Sequence, residues 1–107
     1  MTSNDAAPLG TFEEQILLAV IRTGRDAYGM SIRRELEDLT GRSVAVGAVY
    51  ATLDRLEAKR LLTSKRATVD GAPRRLFAVS AAGARALAES RAMRDQLWRG
   101  VVLPSTS

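Results

Sequence analysis

Apolar residues recur at three- and four-residue intervals over most of the first 60 positions, and that period is lost after Leu62. Phe12, Ile16, Ala19 and Val20 form one helical stripe, preceded by Thr11 and Glu14 at the spacing of a capping box, so a first helix is expected over about 12–23, ending near Gly24. Tyr28, Ile32, Leu36 and Leu39 form a second stripe, with Arg33, Arg34, Glu37 and Asp38 outside it. This predicts a helix over 28–40, with Gly41 in the left-handed position beyond its end. "TGRS" then turns the chain into a third helix, with Ser43 as its N-cap, Val49, Leu53 and Leu56 facing inward, and Leu62 past its end. "LTSKRATV" and "RRLFAVS", separated by the turn-forming "DGAP", read as a two-stranded hairpin. Ser80 is placed to cap a last helix over about 81–100, with Ala86, Leu87, Met93, Leu97, Trp98 and Val101 on a broad apolar stripe. The expected organisation is a disordered tail over 1–9, a domain of three helices and a hairpin over 10–80, a separate C-terminal helix over 81–102 and a tail over 103–107.

The third helix has an unusual outer face. With Val49, Leu53 and Leu56 inward, a rotation of about 100° per residue puts Ser43, Val44, Gly47, Ala51 and Asp54 on or near the opposite side. That side begins with almost no side chain. Two readings account for it: a second large molecule comes very close, or Gly47, Ala48 and Ala51 pack beneath a neighbouring element.

Composition narrows the chemistry. The 107 residues suffice for one small domain with a modest core. There is no Cys and no His, which removes disulfides, the usual zinc ligands and the commonest general base. No paired-carboxylate or Ser-Lys spacing stands out, so neither an enzyme nor a metal or cofactor protein is expected. No apolar run reaches the roughly 20 residues that span a bilayer, and "MTSNDAAPLG" does not resemble a signal peptide, so the expected location is the cytoplasm. Charge is unevenly distributed: residues 41–79 hold eight basic and three acidic side chains, whereas residues 1–40 hold four basic and seven acidic. The positive excess therefore surrounds the third helix and the hairpin, as a surface that meets a polyanion requires.

Three helices followed by a hairpin make a winged helix-turn-helix, a mainly α fold with a small β-hairpin, here carrying an added C-terminal helix. Its third helix enters the major groove, about 12 Å wide, and small outward residues let the helix axis sink deeply. The candidate DNA-binding residues are Ser43, Val44, Gly47, Tyr50, Ala51, Arg55, Lys59, Lys65, Arg66, Arg74 and Arg75. Tyr50 fits either a phosphate-bonding hydroxyl at the edge of the face or a half-buried core residue. Arg55 and Lys59 are placed to touch the sugar-phosphate backbone, and Lys65, Arg66, Arg74 and Arg75 surround the wing tip.

Residues 9–83 resemble the DNA-binding domain of the PadR-like transcriptional regulators, on "AYGMSIRREL", "GAVYATLDRLEAKRLL" and the basic wing followed by "FAVSAAG". The resemblance implies a homodimeric transcription factor, usually a repressor, with Tyr50 and the start of the third helix on DNA and the wing on the neighbouring backbone. It also implies pairing of the last helix with its twin and, in some members, small aromatic effectors. The chain departs from many relatives in having Ala51 for Pro or Thr, Arg60 for Gly, and a wing poorer in Gly and Arg. With about seven residues after the last helix, it is similar to the short branch of the family, in which a ligand site must be built from the dimer.

Leu87, Met93, Leu97, Trp98 and Val101 exceed what a three-helix core can cover, and Ala86 and Ser90 permit close helix approach. The expected dimer interface is therefore Leu87, Ser90, Met93, Leu97, Trp98 and Val101, with Met93, Leu97 and Trp98 as a candidate pocket for a planar aromatic effector. The expected function is a sequence-specific DNA-binding regulator, a homodimeric repressor on a pseudo-palindromic operator in double-stranded DNA. The alternative is a winged-helix module that binds another protein, against which the basic middle of the chain argues.

Overall fold

The computed structural model describes residues 8–105. In chain order it contains α1 (Thr11–Thr23), a single 3-10 turn (Gly24–Asp26), α2 (Gly29–Thr40), α3 (Val46–Ala58), β1 (Leu62–Val69), β2 (Ala72–Val79) and α4 (Ala81–Trp98). This is the winged helix-turn-helix with an added C-terminal helix. Residues 1–7 and 106–107 of the two expected tails lie outside the described residues; Leu9, assigned to the first tail, packs against the core.

The start of α1 lies one residue earlier than the Thr11/Glu14 spacing implied. Gly10 is the N-cap, and Glu13, at the third helical position, accepts from the Gly10 amide at 2.9 Å. Glycine has no side chain to return the bond, so only half of a capping box forms. Ile16, Ala19 and Val20 are buried as expected, and so is Leu17. The α2 stripe is shorter than expected: Ile32 and Leu36 are buried, whereas Leu39 is half exposed. Tyr28 is the N-cap of α2, its amide held by Ser31 Oγ at 2.9 Å, and Gly41 takes the left-handed position with φ of 69°.

The third helix begins at Val46, not after Ser43. Arg33 Nε donates to the Val44 carbonyl at 2.6 Å, and the Val44 amide donates to Glu37 Oε2 at 2.8 Å. Side chains of α2 thus occupy both backbone groups of Val44 and hold residues 43–45 out of the helix. Ala45 becomes the N-cap and provides no side-chain bond. At the other end, the Arg60 amide donates to the Glu57 carbonyl and the Leu61 amide to the Leu56 carbonyl, both at 2.9 Å, with Arg60 at φ of 65°. These are the two bonds of a Schellman stop.

β1 and β2 pair antiparallel, with Val69 opposite Ala72. The loop between them is therefore Asp70 and Gly71 alone, at φ of 51° and 78°, the two left-handed positions of a type I′ turn. Pro73, expected in the turn, lies inside β2 opposite Thr68. The Phe77 amide donates to the Ala27 carbonyl at 2.8 Å and ties the hairpin to the start of α2. Val49, Leu53, Leu56, Leu62 and Phe77 close over Ile16, Leu17 and Ile32 to form the core. Ser80 caps α4 by accepting from the Gly83 amide at 3.0 Å, as expected. The first turns of α4 lie on the core, and every described residue from 91 onward is exposed.

Candidate nucleic-acid interface

Gly47, Ala48 and Ala51 are all exposed, and a Cβ built on Gly47 meets no atom within 4 Å. The bare start of α3 is not packed beneath a neighbouring element; it is open. Val46 and Tyr50 flank it, each about 40% exposed. The Tyr50 ring lies against the backbone of Gly29, while a large part of the side chain faces solvent. Ser43 and Val44 stand in the loop ahead of α3, where Ser43 is exposed and Val44 packs against the core.

The cations do not form one uniform surface. Arg55 Nε and Lys59 Nζ lie 3.2 and 2.8 Å from the same oxygen of Glu13, which is buried on α1. Burial pushes the Glu13 carboxyl up, but hydrogen bonds from Lys59, the Gly10 amide and Arg55 outweigh it and hold the pKa at about 2. Both cations are therefore attached to α1 in the free protein, although each stays about half exposed.

On the hairpin, the two-residue period separates what the sequence groups together. Arg66 stands opposite Arg75 on one face of the pair, whereas Lys65 stands opposite Leu76 on the other, the face that also carries Arg74. The Arg74 guanidinium stacks over the Tyr28 ring at 4.6 Å, with its Nε buried and without a hydrogen-bond partner among the described residues. Arg75 bonds Asp54 Oδ1 at 2.9 Å and also bonds Glu57 of α3. Lys65 and Arg66 are exposed, and neither is paired with a carboxylate among the described residues. They are the wing's available cations.

The Transcriptional regulator PadR-like family matches this sequence over residues 17–89. The chain belongs to this family. Over 77 residues, 72% of this chain and 71% of the relative, it is 39% identical to the Transcriptional regulator Rv3488 of Mycobacterium tuberculosis. Its fold is similar to a PadR-like transcription factor of Bacteroides fragilis, with a TM-score of 0.73 and 26% identity over 84% of this chain and 85% of that one. A PadR family transcriptional regulator of Eggerthella lenta gives a TM-score of 0.66 and 27% identity over 79% and 75% of the two chains.

In this PadR-like chain, α4 divides into two parts. Leu87, expected at a dimer interface, is half buried against the chain's own core, and Ser90 is half buried, accepting from Arg94 Nη1 at 3.3 Å. Arg94 also bonds Glu14 of α1, fixing α4 along the first helix. Met93, Leu97, Trp98 and Val101, by contrast, are 49–68% exposed and lie with Val102 and Leu103. Two grooves open on the protomer, about 570 Å³ between α1 and the hairpin and about 620 Å³ beside the start of α3. Neither of these two grooves is lined by Met93, Leu97 or Trp98. No helix among the described residues is long and apolar enough to cross a membrane.

Sequence reading missed Glu13, the carboxylate that organises Arg55 and Lys59. Its signal lay in the first stripe, where Glu13 falls in helical register with Ile16 and Val20. An acid on an apolar face requires a cation from another element.

Proposed function

We propose that this PadR-like regulator is a homodimeric repressor that places the start of α3 in the major groove of a pseudo-palindromic operator. The observation that carries the reading is the open surface of Gly47, Ala48 and Ala51, bordered by Tyr50 and by the free cations of the wing. Small side chains allow the helix axis to approach the base edges closely, and Arg66 and Lys65 neutralise adjacent phosphates. Few side chains on this face are long enough to read bases, so sequence preference rests partly on DNA shape and deformability.

Pairing through Met93, Leu97, Trp98 and Val101 covers an apolar surface that a monomer leaves in water, and brings two copies of α3 to two half-sites. Met93, Leu97 and Trp98 of both protomers then line a cleft at the dimer centre that accepts a planar aromatic effector. Such a ligand releases DNA only if it prefers a dimer with a different separation of recognition helices.

Filter binding on the DNA upstream of the chain's own gene, over a range of salt, tests the reading. Lys65 and Arg66 on phosphates in each of two subunits give a slope of log affinity against log salt of about −4. Absence of salt-dependent binding favours the protein-binding alternative.

A further inference from the structure

Among the described residues, Arg75 makes the only ion pairs between the hairpin and α3. Its Nη1 donates to Asp54 Oδ1 at 2.9 Å, its Nη2 to Glu57 Oε1, and its Nε to Ser64 Oγ at 3.3 Å. Ser64 Oγ in turn donates to Glu57 Oε2 at 2.6 Å, closing a ring of bonds between the two elements. The guanidinium lies over the Phe77 ring at 4.7 Å, which fixes its plane from the remaining side.

The acceptors explain why Arg75 differs from its neighbours. Asp54 and Glu57 are three residues apart on α3 and therefore share a face, the one turned towards the hairpin. A single guanidinium meeting two carboxylates leaves a local charge of one negative. To reach a phosphate, Arg75 would have to give up both ion pairs and its bond to Ser64. The opposite cation, Arg66, stands directly across the ladder, and two arginines in that position repel unless one is neutralised. Neutralising Arg75 on α3 leaves Arg66 as the charge available on that face.

We infer that Arg75 is a positioning residue, a latch that sets the wing against the recognition helix, and is not itself a phosphate contact. The inference rests on the DNA-binding reading. A wing held in place before the encounter does not have to be ordered during it, so the latch raises affinity by preorganisation and adds nothing to the count of counterions released.

The test compares wild type, R75A, R75K and K65A/R66A by filter binding to the DNA upstream of the chain's own gene, at several salt concentrations. R75A is expected to weaken binding roughly tenfold, with two latches in each dimer, while the salt slope stays at its wild-type value. R75K keeps the charge but cannot span two carboxylates and Ser64, so it is expected to resemble R75A; it supplies the same reading if R75A does not fold. K65A/R66A is expected to flatten the slope. The latch is overturned if R75A flattens the slope by about 2 and R75K restores it, the signature of one phosphate contact per subunit. It is also overturned if R75A binds like wild type. Hydrogen exchange of the hairpin amides in the free protein separates this proposal from the DNA reading. Faster exchange in R75A and R75K supports the latch, and unchanged exchange overturns it, whereas a wild-type chain that shows no salt-dependent binding defeats the DNA reading.

Discussion

Lys59 Nζ donates to Glu13 Oε2 at 2.8 Å, joining the C-terminal end of α3 to the first turn of α1 across 46 residues of sequence. Because Glu13 is held at a pKa of about 2 from an ordinary 4.5, the pair contributes stability that is fully present above pH 4.5 and is lost as the pH falls towards 2. Lys59 and Arg55 stay 43% and 50% exposed, so solvent screening reduces the contribution to about 2 kcal/mol, below what the whole shift implies. Glu13→Gln is expected to lose about that amount at pH 7 and very little at pH 2. Urea unfolding at both values checks it; an equal loss at the two pH values would assign the effect to packing.

Arg60 ends α3 in the left-handed region, at φ of 65°, where a side chain strains the backbone and glycine does not. Arg60→Gly is expected to stabilise the fold by about 0.5–1 kcal/mol, since the relief of strain exceeds the extra entropy glycine gives the unfolded chain. A thermal midpoint several degrees higher is the expected reading. A lower midpoint would mean that the Arg60 side chain makes a stabilising contact that outweighs the strain.

What the sequence revealed, and what it concealed, follows from the range of the interactions. Val49, Leu53 and Leu56 identified the inner face of α3 because burial imposes a 3.6-residue period, and β1 was legible from Leu62 to Val69 because its β-branched residues run up to turn-forming Asp70 and Gly71, whereas β2 begins at Ala72, two residues before the expected Arg74. Ser43 has the chemistry of an N-cap but is displaced by Arg33 and Glu37, which hold Val44 from another helix. Such competition has no local signature. The same limit applies to the cations. Arg55, Lys59, Arg74 and Arg75 read as one basic patch, but their partners Glu13, Tyr28, Asp54 and Glu57 lie far away in the chain, so only the fold distinguishes them from Lys65 and Arg66.

Gly29 and Tyr50 provide a test of the recognition surface that leaves its charge unchanged. A Cβ on Gly29 would stand 2.3 Å from Tyr50 Cζ, so Gly29→Ala must displace the ring. The colliding atoms are the far end of a side chain that is 40% exposed, and alanine is the better helix former. Stability is therefore expected to change by less than about 1 kcal/mol, while DNA affinity falls several-fold at an unchanged salt slope. Melting and filter binding measured together check this. Unaltered affinity would remove Tyr50 from the interface.

The exposed end of α4 makes the strongest claim on a second copy of the chain. Leu97 and Trp98 are 68% and 56% exposed in the protomer, adjacent in sequence, and continued by Val101, Val102 and Leu103. If this surface is the dimer contact, wild type sediments as a dimer at micromolar concentration and Trp98 emits at the short wavelengths of a buried indole. Leu97→Asp places a charge in that contact. It is expected to weaken dimerisation at least about a hundredfold, because an unpaired carboxylate must then be desolvated in the interface. The variant should sediment as a monomer, keep its helical circular dichroism because Leu97 is 68% exposed in its own protomer, and shift Trp98 emission to longer wavelength. DNA affinity should fall with dimerisation, since two half-sites are then bound separately. A wild-type chain that is monomeric at micromolar concentration, or an L97D chain that remains dimeric with Trp98 still shielded, would move the dimer contact elsewhere and remove the cleft proposed for the aromatic effector.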